Sequence, residues 1–132
     1  MESPEFSEIV DRICAGNGRF HPSAYLFVRQ GLDFTLSSLR ERGDLQARQH
    51  ISGDKLLNGI RAYALEQYGP LTKAVFDYWN IQTCIDFGTI VFELVDYGVL
   101  GKTDEDSIED FKNGYSFFEA FEKPFLPEVH KQ

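Results

Sequence analysis

The sequence predicts a mainly α fold: a compact helical domain of five or more helices spanning residues 1–132. Three observations predict it. Apolar residues recur at three- and four-residue spacing in five separate stretches, the period of an amphipathic helix. Residues suited to helix starts and stops bound those stretches, such as Ser-Pro ahead of the first and Gly or Asn behind most of them. Hydrophobic residues make up 42% of the chain, with 12 Phe, 6 Tyr and 1 Trp, enough for a chain of 132 residues to bury a core and offset its ordering entropy.

Ser3 and Pro4 open the first helix as N-cap and first helical residue. Phe6, Ile9, Val10, Ile13 and Cys14 fall on one face, Gly16 ends the helix, and Asn17-Gly18 makes a turn. The second helix spans about residues 22–42, with Tyr25, Val28, Leu32, Leu36 and Leu39 in its apolar stripe. Phe27 and Phe34 widen that stripe, which implies contacts on two sides, with core or with a partner. Residues 42–50 (RGDLQARQH) have weak periodicity and read as a loop.

Ser52 caps the third helix, which runs to Tyr68 with Leu56, Leu57, Ile60, Tyr63 and Ala64 facing inward. Gly69-Pro70 stops it and starts the fourth, whose stripe is read as Leu71, Ala74, Val75, Tyr78 and Trp79. Asn80 fits a left-handed C-cap. Thr83 and Asp86 form a capping-box-like pair ahead of a fifth helix with Phe87, Ile90, Val91, Leu94 and Val95 in its core face, ended by Gly98. Residues 99–118 fit either a short β-wing or short helices capped at Ser107 and Ser116, and the two serines favour helices. The tail from about residue 128 is expected to fray.

From Ser52 onward the order is helix, turn, helix, turn, helix, then an apolar pair Val99-Leu100, which is also the order of a winged helix-turn-helix core. In that arrangement Ile81 is the buried residue of the turn, while Leu94, Val95 and Leu100 close a small core. Charge argues against nucleic acid. The chain carries 13 basic and 21 acidic residues, a net charge of −8. The expected solvent face of the fifth helix reads Gln82, Asp86, Thr89, Glu93 and Asp96, and the wing tip holds Asp104, Glu105, Asp106, Glu109 and Asp110. Carboxylates there repel phosphates and release no counterions.

No catalytic or metal constellation survives inspection. Gly101-Lys102-Thr103 matches the end of a phosphate-binding loop, but Asp96 stands where the pattern needs Gly. Asp86-Phe87-Gly88 matches a kinase tripeptide by letters only, in a chain too short for a kinase. A calcium loop starting at Asp104 would need Gly and Glu where Glu109 and Tyr115 stand. His21, His50 and His130 do not pair at ligand spacing, so no cofactor and no metal is expected. Cys14 and Cys84 read as packed, reduced thiols, and no stretch resembles a secretory signal or a membrane span, which together point to the cytoplasm.

Four segments carry a resemblance: AYLFVRQGLDFT, HISGDKLLNGIRAYALEQYGPLTKAVFDYWNI, DFGTIVFELVDYGVLGKTDEDSIEDF and FFEAFEKPF. Across about residues 5–127 the chain resembles an uncharacterised family of short acidic bacterial proteins, of planctomycete–verrucomicrobial type, with no assigned function. The resemblance implies a free-standing, complete bacterial cytoplasmic protein and carries over no activity, cofactor or catalytic residue.

The expected function is non-catalytic: protein–protein interaction in an adaptor or regulatory role, with a protein partner and no membrane or nucleic acid. Homo-oligomers stay open, as do a winged-helix-like transcriptional regulator and a small-molecule-binding protein. The candidate partner-binding residues are Phe27, Phe34, Phe118 and Phe125, with Asp86, Glu93 and Asp96 as an acidic patch. The short motif Pro124-Phe125-Leu126-Pro127 adds only weak support for a polyproline-type contact.

Overall fold

In the computed structural model, residues 4–43, 51–101 and 106–127 are described. The expected N-cap Ser3, most of the expected loop, Asp104 and Glu105 of the expected wing tip, and the tail from residue 128 lie outside them. The five helices form where the periodicity places them: α1 (Pro4–Gly16), α2 (Pro22–Glu41), α3 (Gly53–Tyr68), α4 (Thr72–Trp79) and α5 (Cys84–Asp96).

The helix ends follow from local chemistry. Ser52 Oγ accepts from the Lys55 N–H at the start of α3. His21 caps α2 through Nδ1, which accepts from the Ser23 N–H at 3.0 Å. Asn80 adopts φ 67°, the left-handed conformation that an Asn side chain tolerates. Gly98 takes φ 80° beyond α5, and the Val99 and Leu100 N–H groups then bond back to the Leu94 carbonyl. That reversal turns Val99 and Leu100 onto the body of the protein. No strand forms among the described residues, so the short wing is replaced by helical turns. Ser107 caps a 3-10 turn, Ile108–Phe111, and the Ser116 hydroxyl accepts from the Glu119 N–H ahead of a π-helical turn, Phe118–Glu122. A final 3-10 turn covers Lys123–Phe125.

The core face of α4 differs from the sequence expectation. Its buried residues are Thr72, Phe76 and Trp79, whereas Leu71 and Tyr78 are exposed. Both sets have helical spacing, so periodicity alone cannot separate them. Phe76 is the hub of the aromatic core, with ring centroids 5.2–6.1 Å from those of Phe27, Trp79, Phe87, Phe117 and Phe121. These are edge and tilted geometries of the kind that aromatic quadrupoles favour.

Two glycines let α2 and α3 lie close together. A Cβ at Gly59 would meet the Thr35 Cβ at 2.6 Å, and one at Gly31 would meet Ile60 Cγ1 at 3.2 Å. Thr35 is itself buried, and its hydroxyl donates to the Gly31 carbonyl. Gly88 performs the same service on α5, where a Cβ would strike the Phe111 ring at 2.7 Å.

Cys84 is a free, buried thiol whose Sγ donates to the Tyr115 carbonyl at 3.4 Å. Burial pushes it up from 9.0 to about 11. The folded value lies above the unfolded one, so the contribution of the neutral thiol is complete below pH 9 and fades as pH rises towards 11. Urea titrations across that window should show falling stability, with a smaller fall in Cys84→Ala; equal falls would mean that Cys84 stays neutral throughout.

Candidate functional site

The turn between α1 and α2 is tied down across the start of α5. The His21 N–H donates to the Trp79 carbonyl, and Asn80 Nδ2 donates to the Arg19 carbonyl at 2.9 Å. Arg19 then reaches Asp86, with Nη2 to Oδ1 at 2.6 Å, while its guanidinium lies 4.8 Å from the centroid of the Phe20 ring. The other carboxylate oxygen of Asp86 accepts from the Gln82 and Thr83 N–H groups at 2.7 and 3.1 Å.

Asp86 is therefore buried, capped and ion-paired, and does not belong to an exposed acidic patch. Its carboxylate caps α5 and anchors the α1–α2 turn at the same time. Asp86→Ala should cost about 2 kcal/mol, the scale of a lost cap plus a charge-assisted bond, because the half-exposed Arg19 can return to water. Urea unfolding checks this; a cost indistinguishable from that of an exposed substitution would remove Asp86 as an anchor.

Glu93 is likewise engaged. It accepts the Tyr25 hydroxyl at 2.6 Å and Asn17 Nδ2 at 3.3 Å. Tyr25 is fully buried, and desolvation together with the Glu93 carboxylate pushes its phenol well above the usual tyrosine range. Of the residues expected on the solvent face of α5, Gln82 and Asp96 are exposed, Thr89 and Glu93 are half-buried and Asp86 is buried. No residue from Cys84 to Val95 is exposed. A recognition helix must present a basic or polar face to a groove, whereas the partly exposed residues of α5 between Cys84 and Val95 are Ile85, Thr89, Val91, Phe92, Glu93 and Val95, with no base among them.

The aromatic candidates divide. Phe27 is 2% exposed and packs among Tyr63, Tyr68, Phe76, Trp79 and Phe87, so it is a core ring and out of reach of a partner. Phe34 is half-buried beside Tyr63, with centroids 5.2 Å apart. Phe118 and Phe125 are exposed, at 46% and 43%. The π-helical turn and its N-cap sort their aromatics: Phe117 and Phe121 are buried, with Ala120 between them, while Phe118 is exposed.

Sequence reasoning missed the other exposed large hydrophobic residues among those described, Leu71 at 66%, Leu126 at 54%, Tyr78 and Tyr97. The 3-10 turn Gly69–Leu71 packs against the turn Phe118–Glu122, so Leu71 and Phe118 sit on neighbouring elements. A signal existed in the sequence. Leu71 directly follows Pro70, ahead of the α-helical residues, where a helical stripe need not continue.

A second concave feature lies between α3, α5 and the 3-10 turn Ile108–Phe111. It is an apolar cleft of about 130 Å³ floored by Leu32, Leu56, Val91, Phe92, Leu100 and Phe111. Asp106, Ser107 and Asp110 stand on its edge. On another side, Asp54, Asn58, Arg61, Asn113 and Gly114 border a shallower polar depression, with Arg61 over the Tyr115 ring at 5.6 Å. Among the described residues there is no group of three or more His, Cys, Asp or Glu placed to hold a metal ion. Among them, too, no helix is long and apolar enough to cross a membrane. No family model, no curated protein and no solved structure matches the chain.

Proposed function

We propose that the protein is a non-catalytic, cytoplasmic protein–protein interaction domain that docks a partner through the face bearing Phe118, Phe125, Leu126 and Leu71. The observation that carries this reading is the exposure of these four large apolar side chains in a chain that buries most of its phenylalanines. Each would gain roughly 1.5–3 kcal/mol from full burial against a partner. Aromatic anchors in a small apolar centre are the usual energetic core of an interface.

Charge gives the partner its chemistry. Glu119 is paired with Lys123, so Glu122 leaves one net negative charge beside these side chains, and together with the net charge of −8 it favours an apolar segment flanked by Lys or Arg. Two free cysteines fit a reducing compartment. The alternative of a transcriptional regulator loses support because the solvent-facing residues of α5 include Glu93 and Asp96 and no base.

The test compares the wild type with the double variant Phe118→Ser/Phe125→Ser. Both positions are exposed, so the variant should unfold within about 0.5 kcal/mol of wild type. Pull-downs from native extract with nuclease present should recover a stoichiometric protein with the wild type and lose it with the variant. An identical set of captured proteins from both would overturn the reading. Light scattering that gives a dimer for the wild type and a monomer for the variant would reassign the same face to a second copy of this chain.

A further inference from the structure

We propose that the polar depression between α3 and residues 113–115 is a binding site for a small zwitterion, a carboxylate and an ammonium group held apart by a short carbon chain. This proposal is independent of the docking face.

Arg61 sets the carboxylate end. Among the described basic residues, Arg12, Arg40, Lys55 and Arg61 make no ion pair with a described acid. Arg12, Arg40 and Lys55 are exposed, whereas Arg61 is half-buried, in a chain where 21 acids face 13 bases. Its guanidinium lies 5.6 Å from the centroid of the Tyr115 ring, and no side-chain hydrogen bond within the described residues takes up its donors. A stacked guanidinium still presents a planar fork of N–H groups, and that fork matches a carboxylate. The side-chain amides of Asn58 and Asn113 stand beside it in the lining, and they too bond to no described residue.

The wall behind Arg61 is fixed. The Tyr115 hydroxyl donates to the Leu57 carbonyl at 2.8 Å, and the Tyr115 carbonyl accepts from Cys84 Sγ. A Cβ at Gly114 would meet Cys84 Sγ at 2.6 Å and Leu57 Cδ1 at 3.0 Å, so only glycine lets this segment press onto α3 and α5. The ring is thereby held to both helices, and the guanidinium lying over it is placed before any ligand arrives. A ligand then has little left to order.

Asp54 sets the ammonium end. It lies two helical turns before Arg61 on the same face of α3, about 10 Å away along the axis. It is exposed and makes no ion pair with a described base. Two opposite charges share one lining and are not paired with each other, which favours a ligand that carries both. The depression measures about 350 Å³. Small-molecule sites begin at roughly 300 Å³, so the room suits a short chain and nothing larger. A dianion would meet Asp54 and a plain amine would meet Arg61, so each loses where the zwitterion gains.

The experiment titrates the full chain with three probes of matched length, 6-aminohexanoate, hexanoate and hexylammonium, and follows amide NMR shifts. The aminohexanoate should saturate, with shifts concentrated at Asn58, Arg61, Asn113 and Gly114. Hexanoate should bind about three- to fivefold more weakly, the factor of one exposed ionic contact. Hexylammonium should bind about tenfold more weakly or worse, because it lacks the charge-assisted bonds to Arg61. Arg61→Gln should weaken the aminohexanoate by about tenfold. Asp54→Asn should bring the aminohexanoate down to the affinity of hexanoate and leave hexanoate no weaker than before; Asp54 is exposed, so this variant serves if Arg61→Gln does not fold. No saturation by the aminohexanoate, shifts centred on other residues, equal affinities for the three probes, or an Asp54→Asn protein that still prefers the aminohexanoate would each overturn the proposal.

Discussion

Phe76→Ala is expected to destabilise the protein by about 3–5 kcal/mol, the cost of truncating a fully enclosed phenylalanine. Phe76 is 0% exposed and touches five other rings, so no solvent-accessible neighbour can collapse into the space it leaves. Because those rings come from α2, α4, α5 and the C-terminal turn, its loss loosens every one of these elements. A domain of this size has about 5–15 kcal/mol in total, so the variant should be close to unfolding at body temperature. The urea midpoint measures the effect. Leu71→Ala, on the same helix approach but exposed, should shift it by no more than about 0.5 kcal/mol. A larger cost at Leu71 than at Phe76 would invert the assignment of the α4 faces.

Gly59→Ala is the second large effect, and its sign is the informative part. In an isolated helix this substitution gains up to about 1 kcal/mol, because alanine has less backbone entropy to lose. Here the new methyl group would overlap the Thr35 side chain, with the Thr35 Cβ only 2.6 Å away. Neither helix can retreat cheaply, since Gly31 against Ile60 holds the same contact elsewhere along it. The net result should be a loss of about 2 kcal/mol, within the range of overpacked cores. Thr35→Ala in the same chain should restore part of it, with a coupling energy of about 1 kcal/mol in a double-mutant cycle. A stabilised Gly59→Ala would mean that α2 and α3 do not approach at this point.

Both predictions concern helices that the sequence locates and contacts that it does not. Capping chemistry is local: Ser52, Asn80, Thr83 with Asp86, Gly98, Ser107 and Ser116 each act on backbone groups within a few residues, so the chain reveals them directly. That is why the helix limits are legible. The candidate site is much less so. Asp86 illustrates the limit: its role as a cap can be read from Thr83, but its burial depends on Arg19, 67 positions away. Glu93 depends on Tyr25 in the same way. A carboxylate at a helical solvent position and one paired across two helices look identical in one dimension.

What the sequence by itself determined is the mainly helical class, the place of the five helices, the caps of α3 and α5 with the left-handed Asn80 behind α4, and the acidic balance that disfavours a phosphate backbone as a partner. The inward stripes of α1, α3 and α5 were legible too, whereas only the tertiary structure decided which side of α4 faces inward. Of the stripe expected for α4, Leu71, Ala74, Val75, Tyr78 and Trp79, only Trp79 is buried, and Thr72 and Phe76 join it because the rings of Phe27, Phe87, Phe117 and Phe121 converge there. The tertiary structure likewise enclosed α5, and divided the C-terminal phenylalanines into a buried pair, Phe117 and Phe121, and an exposed pair, Phe118 and Phe125. Helix formation is governed by hydrogen bonds four residues apart, whereas burial is governed by neighbours far along the chain.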